Sequence, residues 1–310
     1  VMLSRCMDRT LSIIGAGRLG RALGRRLHGL GWRACAVVTR SPATARAAVR
    51  AIGAGRAYSG ITFEVFTARV ILIATPDGEI ERTAALLAKI GGAKCRGRIF
   101  LHCSGALDYS ALRALERRGG VTGSLHPMQT FTGRKIPRLD GVIFSVEGQP
   151  AARRVAAGIA RSLGGTPVTL RAADKAAYHA AGVLVAGHAL GLTEAAVRKL
   201  MSLGFTRRRA LQALLPLMRQ MLDNYESAGA RAAWTGPVAR SDFVAVAKHH
   251  AALSVKGRAR RRKQSSGVSC ELLAAYEALA LLSARVLSPQ PERTLRRLKQ
   301  IFVSSQGGVS

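Results

Sequence analysis

The sequence predicts an α/β chain: a doubly wound parallel sheet over residues 1–171, followed by an all-α C-terminal domain over 172–310. Three observations predict it. Strand-like apolar runs alternate with helical stretches over residues 11–170, the order that builds a parallel sheet. After residue 172 no strand-like run remains. Near the start, an apolar run, a glycine turn and a helix follow one another over residues 10–31, with Gly15, Gly17 and Gly20 in G-x-G-x-x-G spacing.

That spacing, between a strand and a helix, is the Rossmann dinucleotide fingerprint. Gly15 permits the tight turn off the strand. Gly17 lets backbone approach a pyrophosphate, and Gly20 lets the helix pack on the strand. The N–H groups that open the helix, around Arg18 and Leu19, favour phosphate. The second strand, residues 34–38, runs into Thr39-Arg40-Ser41. An NAD site usually carries an acid there, for the ribose 2′-OH. Here Arg40 can neutralise a 2′-phosphate, and Thr39 and Ser41 can donate hydrogen bonds to it. NADP(H) is therefore the expected cofactor; the alternative is that Arg40 is one more surface arginine.

At 310 residues the chain is long enough for two domains. Its five cysteines form no C-x-x-C pair, so neither a disulfide framework nor a zinc site is expected. A reducing cytoplasm is the simplest compartment. Residues 1–10 read as no signal peptide, and no membrane span is expected. The net charge is +31, from 48 Lys and Arg against 17 Asp and Glu. Arginines are spread throughout, and no aromatics interleave with the one dense run, 258–263; both argue against nucleic acid as a partner. That run reads as a solvated loop without function, or as a weak polyanion attractor.

Helices are expected over 43–52, 79–91, 107–118 and 151–163, and strands over 70–74, 98–102, 121–125, 141–147 and 167–170. Thr75-Pro76-Asp77 and Ser104-Gly105 follow strands, so they should border the cofactor. Beyond 172 the helices expected are 175–203, 205–227 with Pro216 kinking or breaking it, one opening at Thr235-Gly236-Pro237, 270–287 and 291–302.

Lys175 opens the second domain, and His179 lies one turn further on the same face. Lys175 could deliver a proton to a developing alkoxide, with His179 holding the substrate oxygen. The alternative is a surface lysine and a core histidine. His126, on a loop after a strand, could orient substrate or simply pack. His188 is expected to be structural, and His249 and His250 to lie at the surface. The segment 235–242 combines hydroxyl, guanidinium and helix start, as an anion clamp or a plain helix cap would. No cluster has metal-ligand spacing.

The chain resembles the 6-phosphogluconate dehydrogenase-like superfamily, which includes ketopantoate reductase. It carries an N-terminal fingerprint, Thr75-Pro76-Asp77 after a strand, and a helical second domain opening with a lysine. More specifically, 102–107, 123–131, 175–181 and 235–240 resemble the Rossmann-like proteins with domain of unknown function 2520. His126-Pro127-Met128 is also similar to prephenate dehydrogenase. Where β-hydroxyacid dehydrogenases carry asparagine four residues after the lysine, this chain has His179. The resemblance implies an oxidoreductase and a homodimer joined through the helical domain. The expected function is NADP(H)-dependent hydride transfer to or from a small carboxylate-bearing carbonyl, hydroxy or imine compound, a ketopantoate-type 2-keto acid being one candidate. The alternative is a non-catalytic NADP-binding regulatory or interaction protein with a basic polyanion-binding face.

Overall fold

Short strands buried on both faces pair in parallel only if a crossover returns the chain to the same edge. The first unit is built that way. In the computed structural model, which describes residues 9–133, 135–254 and 266–304, β1 (Thr10–Ile14) leads through α1 (Arg18–Gly29) to β2 (Arg33–Val38). There follow α2 (Pro42–Ile52), β3 (Arg56–Tyr58), β4 (Val70–Ile73), α3 (Ile80–Gly91), β5 (Ile99–His102) and a four-residue α4 (Arg113–Glu116). β6 (Val121–Pro127), β7 (Ile143–Gly148), α5 (Pro150–Ser162) and β8 (Thr166–Thr169) complete one sheet, in the order β3-β2-β1-β4-β5-β6-β7-β8. Every neighbouring pair is parallel except β6 and β7.

The two-residue period of the strands sorts the core into two layers. Ile13, Leu72 and Leu101 pack with Leu23 of α1 and Ile159 of α5. Ile71, Ile73 and Phe100 pack on the other side with Leu87 of α3 and Phe66. β6 and β7 break the rule on one face only. Leu125, Phe144 and Val146 join the first layer. Their alternates Thr122, Ser124, Ser145 and Glu147 are buried polar residues, and His126 is half-buried beside them.

The compact units divide between Ala186 and Gly187, whereas the last strand ends at Thr169, close to the boundary expected at 171. The helix α6 (Lys175–Val183) therefore stays with the sheet, carrying Lys175, Tyr178 and His179. In place of one helix over 175–203, a π-helical segment at Leu184–His188 separates α6 from α7 (Ala189–Ser202). His188 is exposed and not packed as a core histidine. The helical run Ala172–Ser202 is long and apolar enough, by length and composition, to cross a membrane, at a mean hydropathy of 1.5. Lys175, near its start, is nonetheless inside the first unit's buried polar layer.

In the second unit α8 (Arg207–Ala233) runs straight through Pro216 in helical conformation. The non-helical residue is Gly229, at φ 78°. Proline removes one donor but did not end this helix, and glycine, which has no Cβ to clash at positive φ, carries the departure instead. Thr235-Gly236-Pro237 lies in a run of turns, and α9 (Phe243–Ser254) opens only after Asp242, whose carboxylate accepts from Ala245 N–H at 3.0 Å. Thus 235–240 is no helix start. The helices α10 (Ser266–Leu287) and α11 (Pro291–Ser304) pack with α9 around Val246, Ala284, Leu298 and Phe302. His250, expected at the surface, is buried there, 2.6 Å from Glu277 Oε1 and stacked on Phe302. The basic run at 258–263 lies outside the described residues.

Candidate active site

The glycine turn has the tight turn, the open position and the close strand–helix approach that its spacing implies. Gly15 sits at φ 82°, and a Cβ there would come within 2.6 Å of Thr75 N. A Cβ on Gly20 would meet Gly15 O at 2.9 Å, so strand and helix touch through backbone. Gly17 is exposed and open: a Cβ on it would meet only Gly15 O, at 3.9 Å. It caps α1 without a side-chain hydrogen bond, and no acid stands in the first turn. The opening N–H groups of a helix are then available to an anion. Arg18 is exposed beside Gly133, and Leu19 packs into the core. Beside them, just past β4, Thr75 Oγ1 is buried with no hydrogen-bond partner. Free helix N–H groups, an open glycine and an orphan hydroxyl fit a pyrophosphate-bearing dinucleotide.

Arg40 is exposed just past β2. Thr39 and Ser41 are already engaged: Thr39 Oγ1 lies 2.6 Å from Thr44 Oγ1, and Ser41 Oγ accepts from Thr44 N–H to cap α2. Thr44 was not singled out from the sequence, though its place three residues after a serine cap marks it.

The other end is made of side chains. Ser104, beyond β5, donates from Oγ to Asp77 Oδ2 at 2.7 Å and accepts from the N–H groups of Ala106 and Leu107. The adjoining Gly105 makes room for two rings: a Cβ there would stand 2.5 Å from His179 Nδ1 and 2.8 Å from His126 Nε2. The imidazoles meet edge to face, with centroids 5.5 Å apart, and Tyr178 closes on His126 at 5.8 Å. Burial, then His179 and the Lys175 charge, bring His126 down to about 4, so it is neutral near pH 7. Its Nδ1 is buried without a partner.

Lys175 is fully buried. Its Nζ donates to Ser124 Oγ at 2.8 Å and to Ser104 O at 3.3 Å. Burial lowers its pKa, opposed first by the negative charge of Glu147 and then by that of Asp108 and Asp77. Ser124 donates in turn to Glu147 Oε2 at 3.4 Å, which also accepts from Tyr109 N–H at 2.9 Å. His102, beside Ser124 in the β5–β6 register, accepts at Nδ1 from Ser104 N–H. The Nε2 proton is then left to donate to Asp108 O, at 3.0 Å. Burial, with the Lys175 charge, holds His102 down to about 3, and burial pushes the Cys103 thiol up to about 12.

The first unit thus brings together Lys175, His179, His126, Ser104, Gly105 and Asp77, with Thr75 and Pro76 at the end of β4. Ser124, Glu147, His102 and Asp108 have no role assigned from the sequence, although His102 and Ser124 lie in the segments 102–107 and 123–131 that carry the resemblance. The alternation Thr122, Ser124, His126 against Gly123, Leu125, Pro127 was the available sign of a strand with one polar face. Among the described residues no group of three metal-ligating side chains occurs.

Comparison with known proteins agrees with this architecture. The Rossmann-like domain family matches residues 5–127, and the family described as domain of unknown function 2520 matches residues 142–282. The chain is a Rossmann-like protein carrying domain of unknown function 2520. No curated protein matches this DUF2520 chain in sequence. A proposed NADP oxidoreductase of Bacteroides fragilis superimposes with a TM-score of 0.70 at 21% identity, over 88% of this chain and 96% of that one. An imine reductase of Streptomyces aurantiacus gives 0.57 at 17% identity, over 94% and 99%. A reductive aminase of Aspergillus terreus, in complex with NADPH and ethyl-5-oxohexanoate, gives 0.56 at 15%, over 96% and 94%. At these identities what is shared is the fold.

Proposed function

We propose that this DUF2520 protein is an NADP(H)-dependent oxidoreductase that reduces, or forms by oxidation, a small carbonyl or imine compound, with a carboxylate-bearing 2-keto acid as one candidate. A buried lysine, two neighbouring imidazoles and a serine gathered at the carboxyl ends of β5 and β6, in the same unit as an open glycine turn, carry this reading. Ligands in such sheets bind at those strand ends. Gly15, Gly17, Arg18, Leu19 and Gly20 would hold the pyrophosphate, Arg40 the 2′-phosphate, and Thr75 to Asp77 the edge of the nicotinamide. The fold relatives include an imine reductase and an NADPH-bound reductive aminase, which favours the same class.

The bound nicotinamide would supply or accept the hydride. The chain's own part is binding, orientation and the proton. His126 and His179 would hold the substrate's heteroatom over Gly105 through their ring nitrogens. Lys175 would be the source of the proton taken up as negative charge develops on that atom. Depletion of NADPH absorbance across a panel of keto acids and imines tests the assignment. Absence of turnover on the whole panel, with NADPH bound, favours a non-catalytic binding protein.

We also propose a homodimer in a reducing cytoplasm. Support for the dimer is the exposed stripe Leu217, Met221, Leu222 and Tyr225 on α8, a 27-residue helix whose one buried residue is Ala210. Light scattering on the purified chain measures the mass.

A further inference from the structure

Glu147 is the acid that the proposed chemistry leaves unused. It is almost wholly buried on β7, a place where a carboxylate is rarely found unless paired. Its Oε2 takes the N–H of Tyr109 and the hydroxyl of Ser124, and that same hydroxyl takes the Lys175 ammonium. Ser124 and Glu147 are register partners across the antiparallel β6–β7 pair, so their side chains share one face and the bridge is held by the sheet itself. We propose that Glu147 is a positioning residue of this site: through Ser124, its carboxylate is the internal counter-charge that holds Lys175 in place and keeps it an ammonium.

The other charged and titratable groups around Lys175 each have a different engagement. Asp77, beyond β4, is exposed and accepts from Ser104 Oγ. Asp108, beyond β5, is half-buried and caps the turn at Ser110 N–H. The Cys103 thiol stays protonated, and His102 on β5 and His126 on β6 are neutral near pH 7. Of the acids facing the lysine, Glu147 has the largest opposing influence on it, and burial draws the two in opposite directions: Lys175 down, Glu147 up. Each offsets part of the other's burial, and is the largest single charge to do so. Removing the carboxylate takes away the largest of the charges that offset the lysine's burial and leaves Asp108 and Asp77.

The inference rests on Lys175 as the proton carrier, yet its test reads the lysine directly and needs no substrate. The full chain is labelled with ε-¹³C lysine, and the Lys175 signal is assigned by its loss in Lys175→Met. In the unmodified protein the signal should be that of an ammonium at pH 7. In Glu147→Gln its titration should move to lower pH by about one unit or more, a tenfold weaker hold on the proton. Glu147→Asp should lie between the two. Should Glu147→Gln not fold, Ser124→Ala is measured instead, and its shift should have the same sign. A free amine at pH 7 in the unmodified protein, or an unmoved titration in the folded variant, overturns the proposal. Failure of every substrate to turn over would touch the oxidoreductase reading and leave this one standing.

Discussion

The two ends of the sheet that carry the candidate site are made of different material. Over β1, β2 and β4 the surface is mostly backbone: glycine turns, free helix N–H groups and one orphan hydroxyl at Thr75. Over β5, β6 and β7 it is side chain, layered from Ser104 to Lys175, Ser124 and Glu147. A backbone site is exposed and needs no internal charge balance. A side-chain site buried this far must satisfy every donor and acceptor or lose stability. Mutations at the first end should therefore act on cofactor affinity alone, while those at the second couple chemistry, charge and folding.

The sharpest break comes from Lys175→Met, which keeps the apolar stem and removes the proton. We expect turnover to fall roughly 10²–10⁴-fold, the range of a positioned general acid, with NADPH affinity nearly unchanged. Steady-state kinetics with a cofactor titration reads both. Turnover at the wild-type rate would remove Lys175 as the acid. Gly105→Ala comes next. Its methyl would fall 2.5 Å from His179 Nδ1 and 2.8 Å from His126 Nε2, so both rings must move. Misplacement of about 1 Å can cost roughly 10²-fold, and we expect a loss of that order in kcat/KM. Full activity would show that the imidazoles do not hold substrate.

At the backbone end, Arg40→Ala should weaken NADPH by about 10- to 150-fold, corresponding to about 1.5–3 kcal/mol for one charge-assisted contact, and leave NADH unchanged. Fluorescence titration with both cofactors distinguishes this from a plain surface arginine, whose loss alters neither.

A separate effect is on stability and follows the buried histidines. An unfolded histidine titrates near 6.5, while His126 and His102 in the fold titrate near 4 and 3. Both folded values are depressed, so the unfolded chain binds more protons below pH 6.5 and stability falls with acidification. The loss should be about 1.4 kcal/mol per pH unit for each histidine, ending near pH 4 for His126 and near pH 3 for His102. Urea unfolding at pH 7, 6 and 5 should show the slope, and His126→Asn should halve it. An undiminished slope would mean that His126 is not the group being protonated.

How much of this was legible in the residues differs between the two ends for the same reason. Gly15, Gly17, Gly20, Arg40 and the strand-to-helix order lie within 31 residues, and each acts through its own local backbone. Lys175 and His179 were readable as a pair, being one helical turn apart. Ser124 and Glu147 were not. They are 23 positions apart, and their meeting depends on β7 entering the sheet antiparallel to β6 against an otherwise parallel order. Nor was the burial of His250, which needed Glu277 brought across from α10 and Phe302 from α11.

By itself, then, the sequence determined the alternating sheet, the helical remainder, the open glycine turn and the basic residue after β2, because periodicity, glycine geometry and strand ends are properties of neighbouring residues. Tertiary structure decided that Lys175 lies inside the protein and not at a surface. It decided that α6 stays with the sheet, and that the lysine's charge is answered by Glu147 through Ser124. Those outcomes depend on which strands lie side by side and in which direction, and strand pairing places residues far apart in the chain against one another on a common face.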